Sequence, residues 1–117
     1  MNTLCDAMNF IKEHYCFIEE ISRYLGVKAE DKLVDEHQNY EFICPLRINK
    51  EELCKGKLTV NKKNNVFYCY YCHTGGDYIS FICYLEDISI IEAVNKLLPM
   101  ALFKYIVRNR KEDAIPF

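Results

Sequence analysis

No stretch of this 117-residue chain is apolar for long enough to cross a bilayer, which excludes a spanning helix on hydropathy. The opening residues Met1, Asn2, Thr3, Leu4, Cys5 and Asp6 lack the basic start and apolar centre of a secretory signal, so export is not expected. An excess of one charge is missing too: 15 basic side chains against 17 acidic ones leave a formal charge of −2. That excludes a protein that holds nucleic acid by bulk charge, and leaves any such binding to a local basic face. Tryptophan is absent, so aromatic chemistry rests on tyrosine and phenylalanine. There is no internal repeat, low-complexity tract or linker.

What is present fits one folded module. Half the residues are apolar and 27% are charged, a balance that favours a globular domain over disorder. The length supports a single modest core, so one domain is expected over residues 1–117. The seven cysteines are an odd number, and four of them fall between positions 44 and 72. Together with the missing signal, this favours the reducing cytoplasm and a metal site over a disulfide framework.

Apolar residues Leu4, Met8, Ile11, Tyr15, Ile18, Ile21 and Leu25 recur at helical spacing, predicting one helix over residues 4–25 that Gly26 terminates. Cys5 and Cys16 within it, and Cys83 further on, read as small core side chains. Residues 32–34 and 40–43 lean to strand across a polar turn, a hairpin that would deliver Cys44; His37, in that turn, reads as solvated. Residues 57–60 and 66–70 form a second predicted hairpin, and Gly75 and Gly76 a turn. Asp77 is placed to cap a helix reaching Leu85. Ser89 and Glu92 make a capping box for another helix, which Pro99 ends while starting a last one to about Arg108. The tail past Arg110 is expected to fray.

The chemistry concentrates where Cys69 and Cys72, two residues apart at the end of an aromatic strand, run into Gly75, Gly76, Asp77 and an apolar helix. Such a pair is placed to hold half of a tetrahedral Zn²⁺ site. Cys44, followed by Pro45, is the natural third ligand. A Cys-x₂-His first half would put histidine at position 47, but Arg47 stands there and cannot ligate. Cys54 is the favoured fourth ligand, with His73 the alternative. A site closed by four protein ligands is structural, since catalysis needs an open position.

With these residues in place, the chain resembles the N-terminal zinc-binding domain of bacterial-type DNA primases, shared with phage primase-helicases. The likeness begins near Ile21, runs through the aromatic stretch into Cys44 and Pro45, and is strongest from Val66 to Phe81. Residues 89–98 are similar to the helix that follows in the family. The resemblance implies an α+β fold: a small antiparallel zinc-ribbon sheet, core about residues 31–85, flanked by an N-terminal helix (4–25) and C-terminal helices (89–109). The family histidine is replaced by Arg47, and its next segment by residues 49–56, which include Cys54. No paired-carboxylate magnesium site is visible, so primer synthesis is not expected of this chain by itself.

In the resembled domains the sheet face beside the zinc contacts single-stranded template. Arg47, Lys50, Lys55, Lys57, Lys62 and Lys63 make this region locally basic, and Phe67, Tyr68, Tyr70 and Tyr71 adjoin it. If Phe67 packs inward, alternation turns Tyr68 and Tyr70 outward. Single-stranded DNA is the expected partner, together with a primase catalytic subunit or a replicative helicase. The competing expectation is a phage or mobile-element module that binds a replication or defence protein through its apolar C-terminal helices.

Overall fold

The computed structural model describes residues 3–49 and 51–113, with no side-chain description for residues 108–113. Lys50 and residues 114–117 therefore lie outside the described residues, as does the expected fraying of the tail there. Helix α1 (Leu4–His14) is capped by Thr3, whose Oγ1 accepts the Asp6 N–H at 3.0 Å. Helix α2 (Phe17–Leu25) ends at Gly26, left-handed with φ 69°, whose N–H donates to the Arg23 carbonyl. A 3-10 turn (Ala29–Lys32) leads to strands β1 (Asn39–Ile43), β2 (Lys57–Asn61), β3 (Val66–Cys69) and β4 (Thr74–Asp77). Helices α3 (Tyr78–Glu86) and α4 (Ile90–Asp113) follow. Asp77 caps α3 as expected, accepting the Ser80 N–H at 2.8 Å.

The expected single N-terminal helix is in fact two. Tyr15 and Cys16 are extended, and the break is held by Asn65, which reaches over from the β2–β3 turn. Its Oδ1 accepts the Phe17 N–H at 3.2 Å, while its Nδ2 donates to the carbonyls of Tyr15 (3.1 Å) and Lys12 (3.4 Å). One side chain thus satisfies the end of α1 and the start of α2, groups that a continuous helix would have bonded internally. The apolar periodicity was blind to this because the cap is tertiary.

Three further expectations are corrected. Residues 32–34 contribute only the bridge Leu33–Tyr40, not a strand. Gly75 and Gly76 belong to β4, paired with β3. A Cβ at Gly75 would lie 2.7 Å from the Tyr68 ring, so glycine here lets that ring lie flat across the neighbouring strand. Pro99 sits inside α4 instead of dividing it. Its missing N–H leaves the Asn95 carbonyl without its helical donor. Asn95 is exposed, so water can take that bond. Meanwhile Ala93, Val94, Leu97 and Ala101 stay buried along one face of the helix.

The sheet is a four-stranded antiparallel meander in the order β1-β2-β3-β4. Its inner face (Phe42, Leu58, Val60, Phe67) is buried. Phe17 of α2 meets Phe67, Tyr78 and Phe81 at centroid distances of 5.6, 5.3 and 5.1 Å. Cys16 and Cys83 pack against this core, but Cys5 is exposed, contrary to expectation. Helix α4 leans on α1, where Tyr105 meets Phe10 at a centroid distance of 5.7 Å, and reaches α2 through Lys104 Nζ, 2.9 Å from the Glu20 carboxylate. No described helix is long and apolar enough to cross a membrane.

Candidate metal centre

Strand β1 runs directly into Cys44, and β3 ends on Cys69, so pairing through β2 brings two chain segments to one end of the sheet. The segment after Cys44 folds back as a small hairpin. The Cys54 N–H donates to the Leu46 carbonyl at 2.7 Å and the Ile48 N–H to the Glu52 carbonyl at 2.9 Å, with a bridge between Arg47 and Leu53. Its tip is turned by Asn49, whose Oδ1 accepts the N–H groups of Glu51 (2.9 Å) and Glu52 (3.0 Å). The fold-back closes as Cys44 donates to the Gly56 carbonyl at 2.8 Å and accepts from the Lys55 N–H at 3.2 Å. Cys54 is thereby returned beside Cys44, although ten positions separate them in the chain.

The second knuckle spans residues 69–72, and the two knuckles touch at Gly56. A Cβ there would lie 2.4 Å from Tyr71 Cβ and 3.3 Å from Cys54 Sγ. No other residue type allows this approach. The ligand atoms of Cys44, Cys54, Cys69 and Cys72 all lie within 4.8 Å of one another. Cys54 and Cys69 are 3.6 Å apart at sulfur, and Cys44 and Cys72 are 4.0 Å apart. A tetrahedral ion with bonds of ~2.3 Å requires sulfurs about 3.8 Å apart, which these separations bracket. Both exceed a disulfide bond of about 2.05 Å, and all four cysteines are free.

The electrostatics also call for a cation. Cys44 and Cys69 are fully buried, Cys54 nearly so, and Cys72 is half-buried. Burial pushes the Cys44 and Cys54 thiols up, as removing a lone thiolate from water must. Burial acts the same way on Cys69, but the N–H groups of Cys72 and Tyr71 outweigh it and hold that thiol below its ordinary value. A divalent ion would compensate the thiolate charge that burial disfavours at Cys44 and Cys54.

The expected alternative ligand, His73, is not in the cluster. It turns outward with φ 54°, and its Nδ1 lies 3.4 Å from the Tyr68 hydroxyl. His37 is exposed in its turn. Tyr68, Tyr70 and Tyr71 are all exposed, with the first two rings 4.7 Å apart and nearly perpendicular. Phe67 is buried, so the alternation reads as expected. Lys57 opens β2 opposite Ile43. Lys62 and Lys63 lie in the turn past its far end, which is roughly 13 Å from Lys57 at strand rise. Arg47 and Lys55 instead line a cleft of about 520 Å³ with Tyr24, Ile43, Pro45 and Leu53. Sequence reading missed Gly56, the spacer between knuckles, and Glu41, which shares a cross-strand row with Thr59 and Tyr68 on the outer face. The period-two pattern of β1 carried the signal for Glu41: with Phe42 inward, Glu41 must point out.

An antiparallel meander with two cysteine knuckles gathered at one end is a zinc ribbon. The model of the CHC2 zinc finger family matches residues 6–113, and the chain belongs to that family. The family and the four-cysteine cluster together make it a zinc-binding module of the primase type. It is 27% identical to a DNA primase of Helicobacter pylori over 101 residues, 82% of this chain and 16% of the relative. It is 29% identical to a DNA primase of Staphylococcus aureus over 90 residues, 77% of this chain and 13% of the relative. The chain thus spans a small fraction of the length of these curated relatives. It is also similar to the crystal structure of the Aquifex aeolicus primase comprising zinc-binding and RNA polymerase domains. There the TM-score is 0.58 and the identity 26%, covering 81% of this chain and 21% of that one.

Proposed function

We propose that this chain is a structural zinc module that binds single-stranded DNA in replication or primer initiation, beside a separate catalytic or helicase subunit. In this reading Cys44, Cys54, Cys69 and Cys72 hold the ion, and residues 1–117 act as one cytoplasmic domain. The zinc joins the two knuckles, so its role is rigidity rather than activation of water. The chain itself makes no primers.

The observation that carries the reading is the unburied aromatic group beside the sulfur cluster. Tyr70 and Tyr71 are 71% and 65% exposed, far more than core packing would leave them. Rings held this way can stack bases, at roughly 1–3 kcal/mol per base, while Arg47, Lys55, Lys57, Lys62 and Lys63 meet phosphates. Fluorescence anisotropy of a labelled single strand with zinc-loaded protein is the test. Binding should weaken with salt, and Tyr70→Ala should lower affinity about 5- to 150-fold, the range those stacking energies imply. A zinc-loaded, folded protein with no affinity for single strands would reject the proposal.

A further inference from the structure

The four cysteines are not equally buried. Cys44, Cys54 and Cys69 are 1%, 7% and 0% exposed, whereas Cys72 is only half-buried. Within a cluster whose ligand atoms all lie within 4.8 Å of one another, Cys44 and Cys72 are 4.0 Å apart at sulfur and Cys54 and Cys69 3.6 Å. The second pair is the closer one, but it lies wholly inside. A small oxidant arriving from solvent therefore meets Cys72, the least buried of the four, first, and Cys44 of the opposite knuckle stands 4.0 Å from it.

We propose that Cys72 is a peroxide-reactive modification site resolved by Cys44, so that a hydroperoxide opens the metal centre through one defined disulfide. This rests on reading the four sulfurs as the zinc ligands. In the first step the Cys72 thiolate attacks one oxygen of hydrogen peroxide. An S–O bond forms, the O–O bond breaks and hydroxide leaves, giving a sulfenic acid at Cys72. In the second step the Cys44 thiolate attacks Cys72 Sγ. The S–S bond forms, the S–O bond breaks and a second hydroxide leaves. Two sulfurs have together lost two electrons, and both peroxide oxygens have been reduced to the level of water.

The consequence follows from which sulfurs are consumed. Cys44 and Cys72 belong to opposite knuckles, so their disulfide removes one ligand from each and leaves Cys54 and Cys69 alone, too few for a closed site. Oxidation therefore releases zinc and replaces the tetrahedral clamp by a bond about 2 Å shorter between those sulfurs (4.0 Å against about 2.05 Å). The knuckle that carries Tyr70 and Tyr71 is pulled from its position, and a thiol reductant with added zinc restores it. Cys5 is exposed but lies on α1 outside the cluster, so its oxidation leaves the metal in place.

The test treats the zinc-loaded full chain with hydrogen peroxide, follows zinc release with a chromophoric chelator, and maps disulfides by mass spectrometry of non-reduced digests. Dimedone present during the reaction traps sulfenic acid. Trapping at Cys72, a first disulfide joining Cys44 and Cys72, and loss of zinc in step with it would support the proposal. Cys5→Ser should behave as wild type. Zinc retained under peroxide, or a first disulfide between Cys54 and Cys69, would overturn it. Zinc content measured before peroxide tests the four-ligand reading separately from the order of disulfide formation.

Discussion

Gly56→Ala is the substitution that most directly tests how the two knuckles are held. The added methyl would stand 2.4 Å from Tyr71 Cβ, where ordinary contact begins at 3.4 Å, so the knuckles must part by about 1.0 Å (3.4 minus 2.4). Tyr71 Cβ is fixed to the backbone and cannot swing aside as a side-chain tip would. Zinc–ligand distances tolerate only about ±0.2 Å, so the displacement falls on the metal site and not on soft packing. Overpacking of this kind costs about 1–3 kcal/mol, equivalent to a 5- to 150-fold loss of zinc affinity. Competition with a chelator of known affinity would read this loss directly. Gly26→Ala is the matched control: the same methyl meets nothing within 4 Å, but the backbone there has φ 69°. That variant should lower thermal stability through strain of roughly 1–2 kcal/mol while leaving zinc affinity unchanged. Equal zinc affinity in Gly56→Ala and wild type would refute the contact argument.

Cys54→Ser should abolish stoichiometric zinc by metal analysis, whereas His73→Ala should retain it; the opposite pattern would move the fourth ligand to His73. Asn65→Ala removes three hydrogen bonds at the α1–α2 junction and should lower stability by about 2–3 kcal/mol in denaturant titration, with zinc affinity little changed. Asn65→Gly, which accommodates φ 59°, should lose less than the alanine variant. Burial raises the Asp77 pKa, but the Ser80 N–H and the Lys12 ammonium outweigh it and hold the carboxyl below its ordinary value. Its stabilisation is therefore complete above pH about 4, the unfolded value, and is lost as pH falls below that through the folded-state pKa. The stability difference between wild type and Asp77→Asn should shrink over that acid range and be constant above it. Glu41→Gln, removing an acid from the row that holds Tyr68, should tighten single-strand binding less than about five-fold in the anisotropy assay, and weaker binding would argue against DNA on that face.

The chain determined by itself what depends on short-range chemistry. Two thiols at Cys69 and Cys72 can share an ion because they are two residues apart. Asp77 caps α3 because the donor it needs is three residues ahead, and the outward turn of Tyr68 follows from strand alternation once Phe67 is buried. Tertiary structure decided whatever required distant atoms to meet. The break between α1 and α2 depends on Asn65, 48 residues beyond the N–H it caps, and no local periodicity records that. Pro99 passes through α4 because the buried face of that helix holds it together where propensity would divide it. Between Cys54 and His73, spacing alone could favour a ligand but not deliver one. Only the fold-back that pairs Leu46 with Cys54 and the bare backbone of Gly56 carry the Cys54 sulfur to within 3.6 Å of Cys69 while His73 turns away. Local chemistry is written along the chain, whereas coordination geometry arises when separate segments pack to within an ångström of the positions an ion requires.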